Sequence, residues 1–150
     1  MQTSNTLKSL LIGVVILFSF SNLKAQTASD PFTYGSVWTM QMIDVKPGML
    51  KDYLTGLKAS VKLMNDEAVK QGLILSYKIL TGTSSSPDDY NLIIMQEYKN
   101  MAALEGKDDQ WEAIRNKFVG NDDQLKQLMQ TRTSQRDIYG SKTMREVILK

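Results

Sequence analysis

The amino-acid sequence predicts an α+β domain with the element order β-α-β-β-α-β, a single antiparallel sheet and both helical regions on one face. Three observations lead there. Four runs rich in β-forming residues are separated by turn-forming residues. Between the first two lies a long apolar stripe at helical spacing. A polar loop without helical periodicity joins the second run to the third, which favours a hairpin.

Strand 1 is expected over Val37 to Val45 (Val-Trp-Thr-Met-Gln-Met-Ile-Asp-Val), stopped by Lys46-Pro47-Gly48. Proline presets φ at such a turn and glycine supplies positive φ. Helix 1 follows from Leu50, Tyr53, Leu54, Leu57, Val61, Met64 and Ala68, with lysines and aspartates on the other faces. Gly72 stands where a left-handed residue ends a helix. Leu73 to Leu80 reads as strand 2, Thr81 to Asp89 as a loop and Tyr90 to Tyr98 as strand 3. Asn100 can cap a second helical region carrying Met101, Leu104, Trp111, Ile114 and Phe118, with a break near Gly106. Gly120-Asn121 interrupts it before Leu125, Leu128 and Met129, and Thr143 to Leu149 closes the chain as strand 4.

This order is the split βαβ arrangement of a ferredoxin-like sandwich, with sheet order 4-1-3-2. Strands 1, 2 and 3 are apolar on both faces: Trp38, Met40 and Met42 oppose Val37, Ile43 and Val45, while Leu92 and Ile94 oppose Ile93 and Met95. A sheet with helices on one face alone would alternate apolar and polar residues. A second cover is therefore expected, most simply the sheet of another subunit, making a homodimer.

The first 25 residues read as a secretory signal peptide: Lys8, an apolar run from Leu10 to Phe20, then a polar stretch ending at Ala25. The run is shorter than the ~20 residues needed to span a bilayer, so cleavage near Ala25 and a periplasmic or secreted product without a membrane segment are expected. Residues 26–35 read as a flexible leader and 36–150 as the domain. The 150-residue chain carries 18 Lys+Arg and 16 Asp+Glu. Without Lys8 and Lys24, sixteen basic residues balance sixteen acidic ones, so no field favours nucleic acid or anionic lipid.

There is no cysteine and no histidine. That excludes disulfides, thiolate nucleophiles, Ser-His-Asp hydrolysis and imidazole-ligated zinc or iron. No cofactor is expected. The pairs Asp88-Asp89, Asp108-Asp109 and Asp122-Asp123 lack the alternating spacing of a calcium loop, and the last two are expected to cap helices.

Three segments carry a family resemblance: Val45-Lys46-Pro47-Gly48 between strand and helix, Tyr98-Lys99-Asn100-Met101-Ala102-Ala103 entering the second helical region, and the closing Arg136 to Glu146. With the element order, they resemble the dimeric α+β barrel superfamily, which includes antibiotic-biosynthesis-type monooxygenases, NIPSNAP-like proteins and uncharacterised exported bacterial proteins. The haem-using members hold iron through histidine, which this chain lacks. The resemblance to the cofactor-free oxygenases implies a small aromatic substrate among Trp, Asn, Tyr and Arg side chains, here Trp38, Tyr77, Asn91 and Trp111. The same aromatic residues also suit plain core or dimer packing.

Charged residues within strands are costly unless paired or solvated. Arg145 with Glu97 or Gln41 could form a polar floor for a ligand; alternatively, Arg145 and Glu146 lie in solvent on an edge strand or form an interface ion pair. The expected function is that of an exported dimeric barrel binding a small apolar or aromatic ligand or acting as an interaction module. The alternative is a cofactor-free monooxygenase or isomerase. A cavity between helix 1 and the sheet with converging polar atoms separates these readings from a solid core.

Overall fold

A computed structural model describes residues 30–86 and 88–150. The expected signal peptide and the first part of the leader lie outside the described residues. Strand β1 (Phe32–Val45) leads into α1 (Leu50–Leu57), a π-helical turn (Lys58–Lys62) and α2 (Leu63–Lys70). Strands β2 (Ser76–Thr81) and β3 (Leu92–Tyr98) form a hairpin. A 3₁₀ turn (Met101–Leu104), α3 (Asp108–Phe118), α4 (Asp122–Gln135) and β4 (Arg136–Leu149) complete the chain. The sheet order is β2-β3-β1-β4 and all three pairings are antiparallel. This is the ferredoxin-like order 4-1-3-2 read from the other edge.

Both helical layers cover one face. Val37 and Tyr98 pack with Ala68, Ile74 and Ile114 in one core cluster. In the other, Ile43, Val45 and Leu92 pack with Tyr53 and Leu57. The alternating residues form the opposite face in cross-strand rows: Ser76–Glu97–Trp38–Met144, then Lys78–Met95–Met40–Lys142, then Leu80–Ile93–Met42–Gly140. Leu80 and Met144 are 49% and 52% exposed there.

Local signals account for the element ends. Gly72 takes φ +71 after α2; its N–H bonds the Val69 carbonyl and the Leu73 N–H bonds that of Ala68. This pairing closes the helix and turns Leu73 into the core. Asn121 and Gln124 form a reciprocal capping box on α4, both bonds 3.0 Å. The expectation that the aspartate pairs cap is corrected here. Asp108, Asp109, Asp122 and Asp123 lie in first turns, where they favour the helix dipole, and Asn121 is the cap of α4.

Two strands are longer than expected. The leader does not run to residue 35, because β1 starts at Phe32, where Phe32, Thr33 and Tyr34 pair with Leu149, Ile148 and Val147. β4 starts at Arg136, directly after α4, instead of Thr143. Its first half is polar and contains Gly140, yet it pairs with β1 from Val45 to Met40. An edge strand tolerates such residues because one side faces solvent. Strand 2 is shorter than expected: Leu73 and Ile74 are core residues ahead of the ladder.

Candidate functional site

The structure does not bring the five expected site residues together. Trp38 lies on the open face of the sheet, with Lys78 Nζ 5.2 Å from its ring centre. Glu97 is its neighbour on that face and accepts from Ser76 Oγ at 2.6 Å. Arg145 stands exposed on edge strand β4, its guanidinium 4.0 Å from the centre of the Tyr34 ring. No polar floor forms among them: Arg145 pairs with Val37 and Glu97 with Trp38, on opposite faces, and Gln41 lies opposite Ser141, four residues along β1 from Val37.

Asn91 ties two strand ends together. Its Oδ1 accepts from the Val45 N–H at 2.8 Å, and its Nδ2 donates to Asp44 Oδ1 and the Val45 carbonyl. Tyr77 faces the helices and donates to Asp66 Oδ1 at 2.7 Å, with Lys62 on the other carboxylate oxygen. Burial first, then the hydrogen bond and charge of Asp66, push the Tyr77 hydroxyl up to about 12. An unfolded phenol ionises near ~10. The folded state therefore keeps its proton longer, and the associated stability, full below pH ~10, is lost as pH rises towards ~12. Thermal melts of Tyr77→Phe across that window should fall less steeply with pH than those of the parent. Equal slopes would show that Tyr77 carries none of the effect.

A different set of residues surrounds a cavity of about 320 Å³ between α2, α3 and the sheet. Val61, Met64, Ile94 and Trp111 supply apolar walls; Thr39, Gln41, Asn65, Gln96 and Ser141 supply polar ones. The polar groups form a relay. Tyr98 Oη and Thr39 Oγ1 both donate to Gln96 Oε1, at 3.2 and 3.5 Å, and Gln96 Nε2 donates to Asn65 Oδ1 at 2.7 Å. Asn65 is 2% exposed and its Nδ2 has no partner. A buried donor left unpaired costs about 1–3 kcal/mol, so this group stands ready for an acceptor.

The π-helical turn puts Asn65 there. The buried line along the helix runs Tyr53, Leu57, Ser60, Asn65, Ala68, and the five-residue step from Ser60 to Asn65 spans the turn. The expected stripe places Val61 and Met64 at its centre; in the structure they flank it as cavity walls. Such one-turn irregularities are frequent at functional sites. The sequence signal for Asn65 is a polar residue beside Met64 on the apolar stripe, and for Gln96 a polar residue alternating with Ile94 and Tyr98.

A second polar group lies behind the same turn. Arg132 of α4 is 8% exposed and donates from Nη2 to Ser60 Oγ at 2.5 Å, and Ser60 donates to the Gly56 carbonyl at 2.6 Å. Burial holds the Arg132 guanidinium below its ordinary range. Tyr53 lies 5.8 Å under the Arg136 guanidinium, and burial raises its hydroxyl against the pull of Arg136 and Arg132. Among the described residues no three His, Cys, Asp or Glu side chains converge as metal ligands.

No protein-family model matches the chain, and no curated protein matches it. Its course is similar to that of a dimeric ferredoxin-like protein from an uncultured marine organism, 11% identical, with a TM-score of 0.46 over 79% of this chain and 98% of that one. A second dimeric ferredoxin-like protein from an uncultured marine organism is 12% identical, with a TM-score of 0.44 over 79% and 90%. HapK from Hahella chejuensis is 11% identical, with a TM-score of 0.40 over 73% and 91%. The fold assignment rests on the chain's own strand order and register.

Proposed function

We propose that the chain is an exported homodimer that binds a small, largely apolar molecule in the cavity between α2, α3 and the sheet. The observation that carries this reading is the pairing of a cavity of about 320 Å³ with the buried, unpartnered Asn65 Nδ2 in its wall. Small-molecule sites have this composition: mostly apolar lining with a few fixed polar groups. The side chains of the lining include no acid, base or thiol. Binding is therefore favoured over isomerase chemistry, which needs a group to move a proton.

The apolar centre of the open face supports the dimer, since a second copy of the sheet would bury Met40, Met42, Ile93 and Met95. The run from Leu10 to Phe20, with Lys8 before it and Ala25 after the polar stretch, supports export. One experiment reads all three parts. Native mass spectrometry of the chain recovered from its host should give a dimer of subunits beginning at Gln26, with a small molecule bound. Asn65→Leu should lose the molecule and keep the dimer. A monomer, an intact N terminus, or a ligand retained by Asn65→Leu would each overturn the corresponding part.

A further inference from the structure

We infer that the ligand of this cavity is neutral and meets Asn65 through a carbonyl-type hydrogen-bond acceptor. The inference rests on the cavity reading above and adds the polarity of recognition. An asparagine amide can present either its oxygen or its NH₂ to a ligand, and which one it presents depends on its neighbours. Here the neighbours decide. The hydroxyls of Tyr98 and Thr39 converge on one end of the Gln96 amide. An oxygen there, with two lone pairs, satisfies both hydroxyl hydrogens. An NH₂ there leaves one hydroxyl hydrogen of the pair without an acceptor in this group, since Tyr98 and Thr39, hydrogen-bonded to each other, can satisfy only one between them. Gln96 therefore turns its NH₂ towards Asn65, which answers with its oxygen at 2.7 Å. What Asn65 has left is Nδ2, a donor.

Charge narrows the class further. The side chains that line the cavity, Gln41 and Trp111 among them, include no cation or anion. A carboxylate ligand would be desolvated without a counter-charge, and an ammonium ligand would put a donor against a donor. A ketone, aldehyde, ester or quinone oxygen on an apolar body fits both constraints, with Trp111, Met64 and Ile94 around the body.

The test uses the full mature chain and four probes of similar shape: acetophenone, ethylbenzene, 1-phenylethylamine and benzoate, with binding read by saturation-transfer NMR titration. Acetophenone should bind about tenfold more tightly than ethylbenzene, the affinity counterpart of one hydrogen bond. The amine and benzoate should bind more weakly than either. Asn65→Asp should remove the preference for the ketone and favour the amine. The comparison within the parent protein stands even if that variant does not fold. Equal binding of ethylbenzene and acetophenone would overturn the donor assignment and leave the cavity reading intact. Preference for the amine or for benzoate would overturn it too. If none of the four binds, the cavity reading itself falls, and the inference with it.

Discussion

The parent should elute as a dimer and Met42→Glu as a folded monomer, in size-exclusion chromatography with light scattering at micromolar concentration. Met42 lies on the open face in the row Leu80–Ile93–Met42–Gly140, which contains no cation. In a monomer the new carboxylate reaches water and costs little. In a two-fold dimer of packed sheets the same change occurs twice and brings two carboxylates into the seam, each with a single diagonal cation, Lys142, in the adjoining row. Each desolvated charge costs several kcal/mol, so dimer affinity should fall by more than about a hundredfold. The far-ultraviolet circular dichroism should be unchanged, because the two core clusters lie on the other face. A variant that stays dimeric would show that the subunits do not pack through this face.

Ser60→Ala should destabilise the protein by about 1–3 kcal/mol, the cost of a buried polar group losing its partner. The deleted atom is small, and the effect comes from what it leaves behind. Arg132 is nearly buried, its Nε has no partner, and Ser60 Oγ is the acceptor at its Nη2. Removing the hydroxyl strands a desolvated guanidinium. Arg132→Met should cost less, because it keeps most of the packed stem and removes the charge that needed satisfying. The double variant should then resemble Arg132→Met alone, a coupling that urea denaturation of the four proteins would measure. Additive losses would mean that the two side chains act independently.

Much of the fold was legible because it follows from spacing. In β1 the odd positions Val37, Ile43 and Val45 enter the core, as a period of two requires. Gly72 and Asn100 act at helix and turn ends as their side chains, or lack of one, suggest. The same parity argument bears on the site. Trp38 is even-numbered in β1 and faces away from the helices, whereas Thr39 and Gln41 share the core parity and line the cavity. In β3, Gln96 shares parity with Leu92 and Tyr98, whereas Glu97 goes with Ile93 and Met95. Choosing residues by chemical type selected Trp38 and Glu97; choosing them by face selects Thr39, Gln41 and Gln96. Arg145 could not be placed that way, since irregularities between Tyr34 and Val37 and between Met42 and Ile43 break the count along β4. The polar first half of β4 hid a strand whose extent depends on its partner.

The π-helical turn at Lys58–Lys62 makes the binding wall a matter of phase. Each residue of an ordinary helix advances about 100° round the axis. Five residues carry the chain from Ser60 to Asn65 with both still buried, so the turn absorbs one residue more than a regular helix would. In an ordinary helix those five steps would carry Asn65 about 140° away from Ser60 and off the buried line; the wider turn keeps the two on one face. Deleting one residue between them leaves four steps, which an ordinary helix spans with both ends on one face, so Asn65 and Ala68 should stay on the buried line while the turn becomes regular. The cavity's donor is thus set by how the turn is wound as much as by an asparagine. A chain one residue shorter in this turn would share the fold and keep the asparagine on the buried face, on a regular helix.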